Sequence, residues 1–217
     1  MSLKDAKTNF VVQVATNLFM QKSINEVTMK DIAVEAGIGE ATIYRYFENK
    51  ENIVLGCILS LQKQVNKNYF KLDNGSTGFE KIEIFYNSYL DVFKKNPDYF
   101  YFLREFDTFM YAQNQEMLRG YEKEVDQYHI EYLNAYELGL KDGSIKKQDN
   151  IETFYYSTTH SLLELCKKLS INKALLTQDK KIEKVEEIQC LINLILKSLK
   201  TCESNASKNL RKGSMSD

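Results

Sequence analysis

The chain has 217 residues, 43% of them apolar, and a formal net charge of −1 at pH 7. One proline and nine glycines argue against a turn-rich β fold and leave room for long helices, while the near-zero charge excludes a global basic field of the kind that many nucleic-acid-binding proteins carry. No apolar run approaches the roughly 18 residues of a membrane span, and no signal peptide is recognisable, so the sequence predicts a cytoplasmic protein.

Cysteine and histidine usage gives no sign of a metal site or of catalysis. The four cysteines are Cys57, Cys166, Cys190 and Cys202. Their spacing contains no CxxC pair, so zinc binding is not predicted, and each is interpreted as a small, buried or half-buried apolar residue. His129 and His160 fall on separate predicted helices, and glycine-rich phosphate loops are missing from the sequence. We therefore predict no enzymatic activity and no cofactor.

The first predicted helix covers residues 3–21. Its apolar residues recur at helical spacing: Phe10, Val11, Val14, Ala15, Leu18 and Phe19. We expect this face to pack on the two short helices that follow, which would complete a three-helix domain.

The second predicted helix begins with a capping box. Thr28 is a preferred N-cap residue, and Asp31 stands where its carboxylate can reach back to the backbone of the cap. Val27 and Ile32 have the spacing of the hydrophobic staple that often accompanies such a cap. Gly37 is expected to end the helix, because glycine readily adopts the positive φ found just past a helix C-terminus.

A third short helix is predicted to start near Gly39 and to turn Ile43 and Phe47 to its inner side. Its other side chains are expected to face mostly outward: Glu40, Ala41, Thr42, Tyr44, Arg45 and Tyr46. Exposed aromatic residues beside an arginine suit a binding surface better than a solvated helix. Two short helices joined by a tight turn with a glycine are typical of a helix-turn-helix.

Four segments within about the first 50 residues carry a resemblance to a known family. They are Thr28–Ala33 (TMKDIA), Ala36–Ile38 (AGI), Ala41–Phe47 (ATIYRYF) and Asn49–Glu51 (NKE). Together they resemble the DNA-binding domain of TetR-family transcriptional regulators. Gly39 and Glu40 depart from the family pattern, which often has Ser or Thr at the first position and neutral or basic residues at the second.

The resemblance implies a homodimeric, all-α transcriptional regulator, most often a repressor, that binds a palindromic operator in double-stranded DNA. An N-terminal three-helix helix-turn-helix domain (residues 1–50) would be followed by a larger helical domain for effector binding and dimerisation (residues 51–203). The polar tail, residues 204–217, is expected to be disordered. Binding of a small-molecule effector would move the fourth helix and release the operator.

The residues expected to contact DNA cluster on and around the third helix. Arg45 can bind guanine bidentately, and Thr42 can bond a base edge or touch a thymine methyl, so these two are the candidates for base reading. Phosphates would be bound by the two tyrosines of the same helix, by Thr28 and by Lys50. The full predicted set is Thr28, Lys30, Gly39, Ala41, Thr42, Tyr44, Arg45, Tyr46 and Lys50.

Six further helices are predicted, which makes about nine in total. They run from the Asn49 cap to about Leu72, from Phe79 to about Lys95, from Pro97 through Met110, from about Gln113 to Leu140, from a capping box of Asp149 and Glu152 through Leu169, and from about Gln178 to Cys202.

Residues 79–140 are rich in tyrosine and phenylalanine at helical spacing. Such stripes form either ordinary core or the wall of a ligand cavity, and the resemblance favours a cavity. The candidate ligand-binding residues are Phe85, Tyr86, Tyr89, Phe106, Phe109, Tyr128 and Tyr132. Because few ionisable residues interrupt these stripes, we expect an apolar or aromatic effector.

The last two predicted helices have wide apolar faces. In a monomer these faces would be core, whereas the resemblance implies that they pair with a second copy in a symmetric four-helix interface. The candidate dimer residues are Phe154, Tyr155, Thr158, Leu162, Leu165, Ile188, Ile192 and Ile195.

Two alternatives stay open from the sequence. One is a DNA-binding structural or division-control protein of the same fold without a small effector. A filled second domain, without a cavity near Tyr86 and Tyr128, would favour it. The other is a helical enzyme or ligand carrier whose first residues only resemble a DNA-binding domain, and failure to bind any DNA would favour it.

Overall fold

The computed structural model describes residues 3–111, 115–171 and 181–201, and within these ranges the chain is built from α-helices. In chain order they are α1 (Leu3–Gln21), α2 (Met29–Glu35), α3 (Glu40–Phe47), α4 (Lys50–Asn68), α5 (Gly78–Lys95), α6 (Pro97–Met110), α7 (Arg119–Asp142), α8 (Ile151–Leu169) and α9 (Lys184–Leu199). Short 3-10 helices, Leu72–Asn74 and Gln115–Leu118, precede α5 and α7. The predicted all-α class with about nine helices is confirmed.

The local signals predicted for α2 are confirmed. The Thr28 hydroxyl accepts a hydrogen bond from the Asp31 N–H at 3.1 Å, and the Asp31 carboxylate accepts one from the Thr28 N–H at 2.8 Å. Val27 and Ile32 are both buried, as a hydrophobic staple requires. Gly37 follows α2 with a φ of +64°. These features set the angle at which α3 leaves the turn.

The buried face of α1 differs from the predicted one at one position. Phe10 is 51% exposed, whereas Val12, which the pattern left out, is buried. Val12 faces the start of α4: its carbonyl lies 3.5 Å from the Cys57 sulfur, and its side chain lies beside Gly56. The long α4 therefore contributes to the core of the N-terminal helices, which shifts the face of α1 that is covered.

Several predicted helix ends need correction. The fourth helix ends at Asn68 rather than near Leu72, and a non-helical stretch follows it. Asn150, not Asp149, caps α8, because its side chain accepts the Thr153 N–H at 3.0 Å. The ninth helix is shorter than predicted, since it begins at Lys184 and ends at Leu199. The predicted starts at Gln113 and Gln178, Cys202, and the tail 204–217 lie outside the described residues.

In the larger part of the chain, α5 packs mainly against α7 and α9, with α6 and α8 on its other flanks. The approach of α5 to α7 is close enough to require glycine: a Cβ on Gly78 would lie 2.0 Å from the backbone nitrogen of Gly139. The Gly78 N–H is also held by the Asp142 carboxylate at 2.8 Å. None of the described helices is both long enough and apolar enough to cross a membrane.

Candidate functional site

The outward face of α3 is the first candidate surface. Ile43 and Phe47 anchor the helix from its inner side and are buried, as predicted. On the opposite side Glu40, Ala41, Tyr44 and Arg45 are exposed, and Thr42 and Tyr46 are half-buried. Tyr44 keeps 46% of its surface exposed, and exposed aromatic surface of this kind often marks a binding site.

Arg45 lies at the centre of this face. Its guanidinium carbon is 5.4 Å from the ring centroid of Tyr46, within the range of a cation–π contact. Gly39 precedes the helix as its N-cap and offers no side-chain hydrogen bond. The first N–H groups of α3 therefore depend on other acceptors, and a phosphate is one acceptor that suits them.

Thr28 and Lys30 lie at the start of α2, and both are exposed. The Thr28 hydroxyl is already engaged, because it donates to the Asp31 carboxylate at 2.6 Å in addition to capping α2. These hydrogen bonds from Thr28 lower the pKa of Asp31. Thr28 thus holds the helix that presents Lys30, and its hydroxyl has less to offer a phosphate than expected.

The contacts of the Lys50 ammonium differ from the predicted phosphate contact. Its ammonium donates to the carbonyl oxygens of Ile24 and Val27 at 2.9 and 3.0 Å, and it lies 5.1 Å from the centroid of the Phe109 ring. Burial lowers the pKa of Lys50. This corrects the predicted phosphate contact: the ammonium is turned toward the loop before α2, where it ties that loop to α4 and to α6.

A small cavity of about 60 Å³ lies between helices α4 to α8. Its lining residues are Gln62, Val65, Phe70, Tyr89, Val92, Tyr99, Phe100, Leu103, Tyr121, Val125, Tyr128 and Leu163. Gln62 is the buried amide among them. Its oxygen accepts from the Tyr99 hydroxyl at 2.6 Å, and its nitrogen donates to the Tyr128 hydroxyl at 2.7 Å and to Asn66 at 2.9 Å.

The tyrosines around the cavity are held in their neutral form. Burial raises the pKa of Tyr89 and Tyr99 well above the ordinary tyrosine value, and it also raises the pKa of Tyr121 and Tyr128. None of the lining residues carries a formal charge in this state. The cavity therefore offers apolar surface, tyrosine hydroxyls and one amide.

The predicted ligand-binding set meets this cavity at only two positions, Tyr89 and Tyr128. The other five predicted residues are not part of its lining. Phe85, Tyr86 and Tyr132 are fully buried in a packed aromatic cluster, in which the Tyr86 hydroxyl bonds those of Tyr132 and Thr158. Phe106 is buried against Tyr121, and Phe109 lies beside Lys50.

Most of the cavity lining was missed by the sequence analysis, although one signal was available. Gln62 follows Ile58 and Leu61 and precedes Val65 in the apolar stripe of α4, and a polar residue in such a stripe indicates a buried hydrogen-bond partner. Phe70 was expected in the apolar stripe of the fourth helix, whereas it lies on the non-helical stretch that follows α4.

The predicted dimer residues of α8 and α9 lie mostly inside the chain. Five of them are buried in the intrachain core, namely Tyr155, Leu162, Ile188, Ile192 and Ile195, and three are half-buried, namely Phe154, Thr158 and Leu165. A side chain that already fills the core cannot also cover a second copy. The outward face of α9 instead forms a shallow groove lined by Val185, Glu186, Gln189, Cys190, Asn193, Leu194 and Lys197.

Comparisons with known proteins agree with this geometry. Residues 11–57, from α1 into α4, match the family model described as bacterial regulatory proteins, tetR family. A helix-turn-helix-type transcriptional regulator of Staphylococcus aureus (strain USA300) is 33% identical over 98 residues, which cover 44% of this chain and 48% of that protein. The chain thus aligns with about half the length of the curated relatives it matches.

Solved structures extend the similarity of fold to most of the chain. One is described as a TetR-family transcriptional regulator of Mesorhizobium loti, with a TM-score of 0.64 at 17% identity, covering 93% of this chain and 100% of that one. Another is the fatty acid degradation regulator FadR of Bacillus halodurans, with a TM-score of 0.64 at 17% identity, covering 88% and 94%. At these identities the similarity extends to the fold alone.

Proposed function

We propose that this chain, whose residues 11–57 match the model of the TetR family of bacterial regulatory proteins, is a transcriptional regulator of that family. It would act as a homodimeric repressor that leaves a palindromic operator when a small effector binds. No enzymatic step is part of this proposal. Residues 1–50 would read DNA, and residues 51–203 would bind the effector and the second copy.

The observation that carries the proposal is the outward face of α3. Arg45 and Thr42 are the residues we assign to base edges in the major groove, and Tyr44 and Tyr46 would bind the flanking phosphates. Lys30 on α2 supplies a further exposed cation near this face. Gly39 and Ala41, at the start of α3, leave room for the backbone to approach DNA closely. Lys50 would act from inside, by holding the loop before α2.

A dimer is required by the geometry of the operator. Two α3 helices that enter successive major grooves on one side of DNA must lie about 34 Å apart. One chain supplies one such helix. The exposed face of α9, with Leu194 62% exposed, offers the apolar surface that a second copy would cover.

An effector would release DNA by moving the helices that contact both the cavity and the N-terminal domain. Gln62 and Val65 of α4 line the cavity, and α4 begins at Lys50 beside α3. Leu103 of α6 also lines it, while Phe109 of α6 approaches Lys50. An effector that fits the cavity better when these helices shift would favour the form with separated α3 helices.

The alternative without an effector predicts a filled second domain. Tyr86 does lie in packed surroundings, but a cavity lies beside Tyr128. The cavity therefore favours an effector-responsive regulator over a purely structural DNA-binding protein.

The proposal is tested by fluorescence anisotropy with a labelled DNA fragment from immediately upstream of the protein's own coding region. Random DNA serves as competitor, and the titration is repeated at two salt concentrations, because phosphate contacts weaken steeply with salt. We expect saturable binding of one dimer per palindrome that random DNA does not compete away. Binding that random DNA removes equally would contradict operator recognition at this locus.

A further inference from the structure

The charge around the internal cavity limits the class of molecule that can occupy it. No lining side chain is ionised, because the tyrosines are held neutral and the remaining residues are apolar apart from Gln62. A charged cluster lies in an open groove beyond Leu103, Tyr121 and Leu163, where Lys167 bonds the carboxylates of Asp107 and Glu164. A charged group of a ligand held within the cavity itself would therefore have no counter-ion among the lining residues, which is costly.

The hydrogen-bonding groups of the cavity are of two kinds. The amide of Gln62 is engaged by Tyr99, Tyr128 and Asn66, and both of its donor positions are taken. In contrast, the hydroxyls of Tyr89 and Tyr121 are not engaged by Gln62, and they line the same cavity. Because a neutral tyrosine hydroxyl is a good donor, each can donate a hydrogen bond to a ligand that supplies an acceptor.

The size of the cavity indicates how a ligand must enter. A dry engineered cavity of about 150 Å³ holds benzene, whereas one water needs about 10–15 Å³. At about 60 Å³, the resting cavity is too small for an aromatic ring. Phe70 is the lining residue that lies outside a helix, between the end of α4 and the following 3-10 helix.

Phe70 lines both the cavity and a groove on the outside of the chain. Its ring packs on Tyr128 at 4.4 Å and on Tyr89 at 5.3 Å, centroid to centroid. The same side chain lines an open groove of about 640 Å³ on the outside, together with Lys67 and Lys71. Displacing this one ring would join the groove to the cavity without unwinding a helix.

We propose that the effector is an uncharged molecule with a compact apolar body and a hydrogen-bond acceptor, taken into the space that Phe70 vacates and recognised by the hydroxyls of Tyr89 and Tyr121. This inference rests on the proposed function, since it names the class of effector. A neutral aromatic ketone has the required chemistry, whereas an aromatic carboxylate of the same size does not.

Three probes of nearly equal shape test the proposal by isothermal titration calorimetry on the full chain without DNA. Acetophenone has an acceptor and no charge, isopropylbenzene has neither, and benzoate has a charge. We expect acetophenone to bind at least about tenfold more tightly than isopropylbenzene, as one hydrogen bond of about 1.4 kcal/mol implies. Benzoate is expected to bind most weakly.

Variants test whether the hydroxyls of Tyr89 and Tyr121 cause the preference for acetophenone. Tyr89→Phe and Tyr121→Phe remove only hydroxyls, so together they should abolish the preference for acetophenone over isopropylbenzene. Tyr111→Phe is the matched control, because Tyr111 is 94% exposed, and it should keep the preference. Phe70→Ala should tighten the binding of both neutral probes, since no ring then has to move.

Three results would overturn the inference: benzoate binding as tightly as acetophenone, no difference between acetophenone and isopropylbenzene, or no binding by any probe. A preference that survives in the double tyrosine variant would also overturn it. Because no DNA is present, these failures leave the operator experiment untouched. Conversely, loss of operator recognition would not change the order of the three probes.

Discussion

Among single residues, Arg45 gives the most direct test of base reading. Its guanidinium lies on the exposed face of α3 beside the Tyr46 ring. Because a guanidinium can bond both acceptors of guanine, Arg45→Ala is expected to weaken operator binding by about 1–3 kcal/mol and to relax the preference at one base pair. Competition against operators altered one base pair at a time measures both effects.

Arg119→Ala is the control for this variant. It removes the same charge from an exposed position at the start of α7, and it should leave operator binding unchanged. If Arg45→Ala lost the same free energy on operator and on random DNA, the role of Arg45 would be phosphate binding and not base reading.

Lys50 tests a second role at the residue scale, that of a cation acting from inside the domain. Lys50→Met keeps the length of the side chain but removes the donor to the Ile24 and Val27 carbonyls. We expect the free energy of unfolding to fall by about 1.5–3 kcal/mol, since hydrogen bonds from charged groups are worth this much. Operator binding should weaken as well, because the loop before α2 loses its anchor. Urea unfolding and anisotropy measure the two effects.

The salt dependence of binding separates this role from a phosphate contact. In Lys50→Met the slope of log affinity against log salt should be unchanged, because no counterion release is lost. Lys30→Met provides the comparison: Lys30 is exposed on α2, so its loss should leave stability intact and reduce the slope by about 1. A reduced slope with normal stability in Lys50→Met would restore the phosphate role.

At the scale of the helices, the close contact of α5 with α7 requires a residue without a side chain at Gly78. A Cβ on Gly78 would lie 2.0 Å from the Gly139 nitrogen and 2.4 Å from the Ala135 carbonyl oxygen. Backbone cannot yield as a flexible side chain does, so Gly78→Ala should force α5 and α7 apart. We expect a loss of about 1–3 kcal/mol or more in the free energy of unfolding, measured by urea denaturation.

Gly120→Ala is the matched control for this prediction. Gly120 is helical too, but a Cβ there would meet nothing nearer than the Leu59 side chain at 3.9 Å. Alanine in a helix is favoured over glycine by about 0.5–1 kcal/mol, so this variant should be slightly stabilised. Equal effects of the two substitutions would show that helix propensity, and not the approach of α5 to α7, decides the outcome.

The elements also explain how far the sequence could predict the structure. The turn from α2 to α3 was predictable because its signals are local: the Thr28 cap needs only Asp31, and Gly37 needs only its own φ. The outward face of α3 follows from the same local pattern, since Ile43 and Phe47 define the inner side. The assignment of bases to Arg45 and Thr42 stays a prediction.

The cavity was less predictable because periodicity identifies an apolar stripe but not which of its members leave a gap. Tyr86 and Tyr89 are both on the stripe of α5, yet Tyr86 is fully buried and Tyr89 lines the cavity. That difference depends on how α5, α7 and α8 meet. Phe70 was misplaced for another reason: the apolar period was extended to about Leu72, whereas the chain leaves the helix after Asn68.

At the scale of the whole molecule, the proposed dimer would be held together by the outward face of α9. A stable interface buries about 800 Å² on each partner, which one exposed leucine cannot supply. The groove along α9, however, combines Val185, Cys190 and Leu194 on one side of the helix. Ile192, by contrast, is fully buried within the chain, so a charge there would unfold the chain and not only separate the copies.

Leu194→Lys is therefore expected to convert the dimer to a folded monomer, because a lysine facing its own copy across a two-fold axis places like charges in a desolvated contact. Sedimentation equilibrium measures the mass, and anisotropy on the full palindrome should show weakened binding, since two linked α3 helices no longer act together. Ile130→Lys is the control: Ile130 is 58% exposed on α7, and its replacement should leave the dimer intact. If Leu194→Lys remained dimeric and bound the palindrome normally, the two copies would have to associate through a surface other than the exposed face of α9.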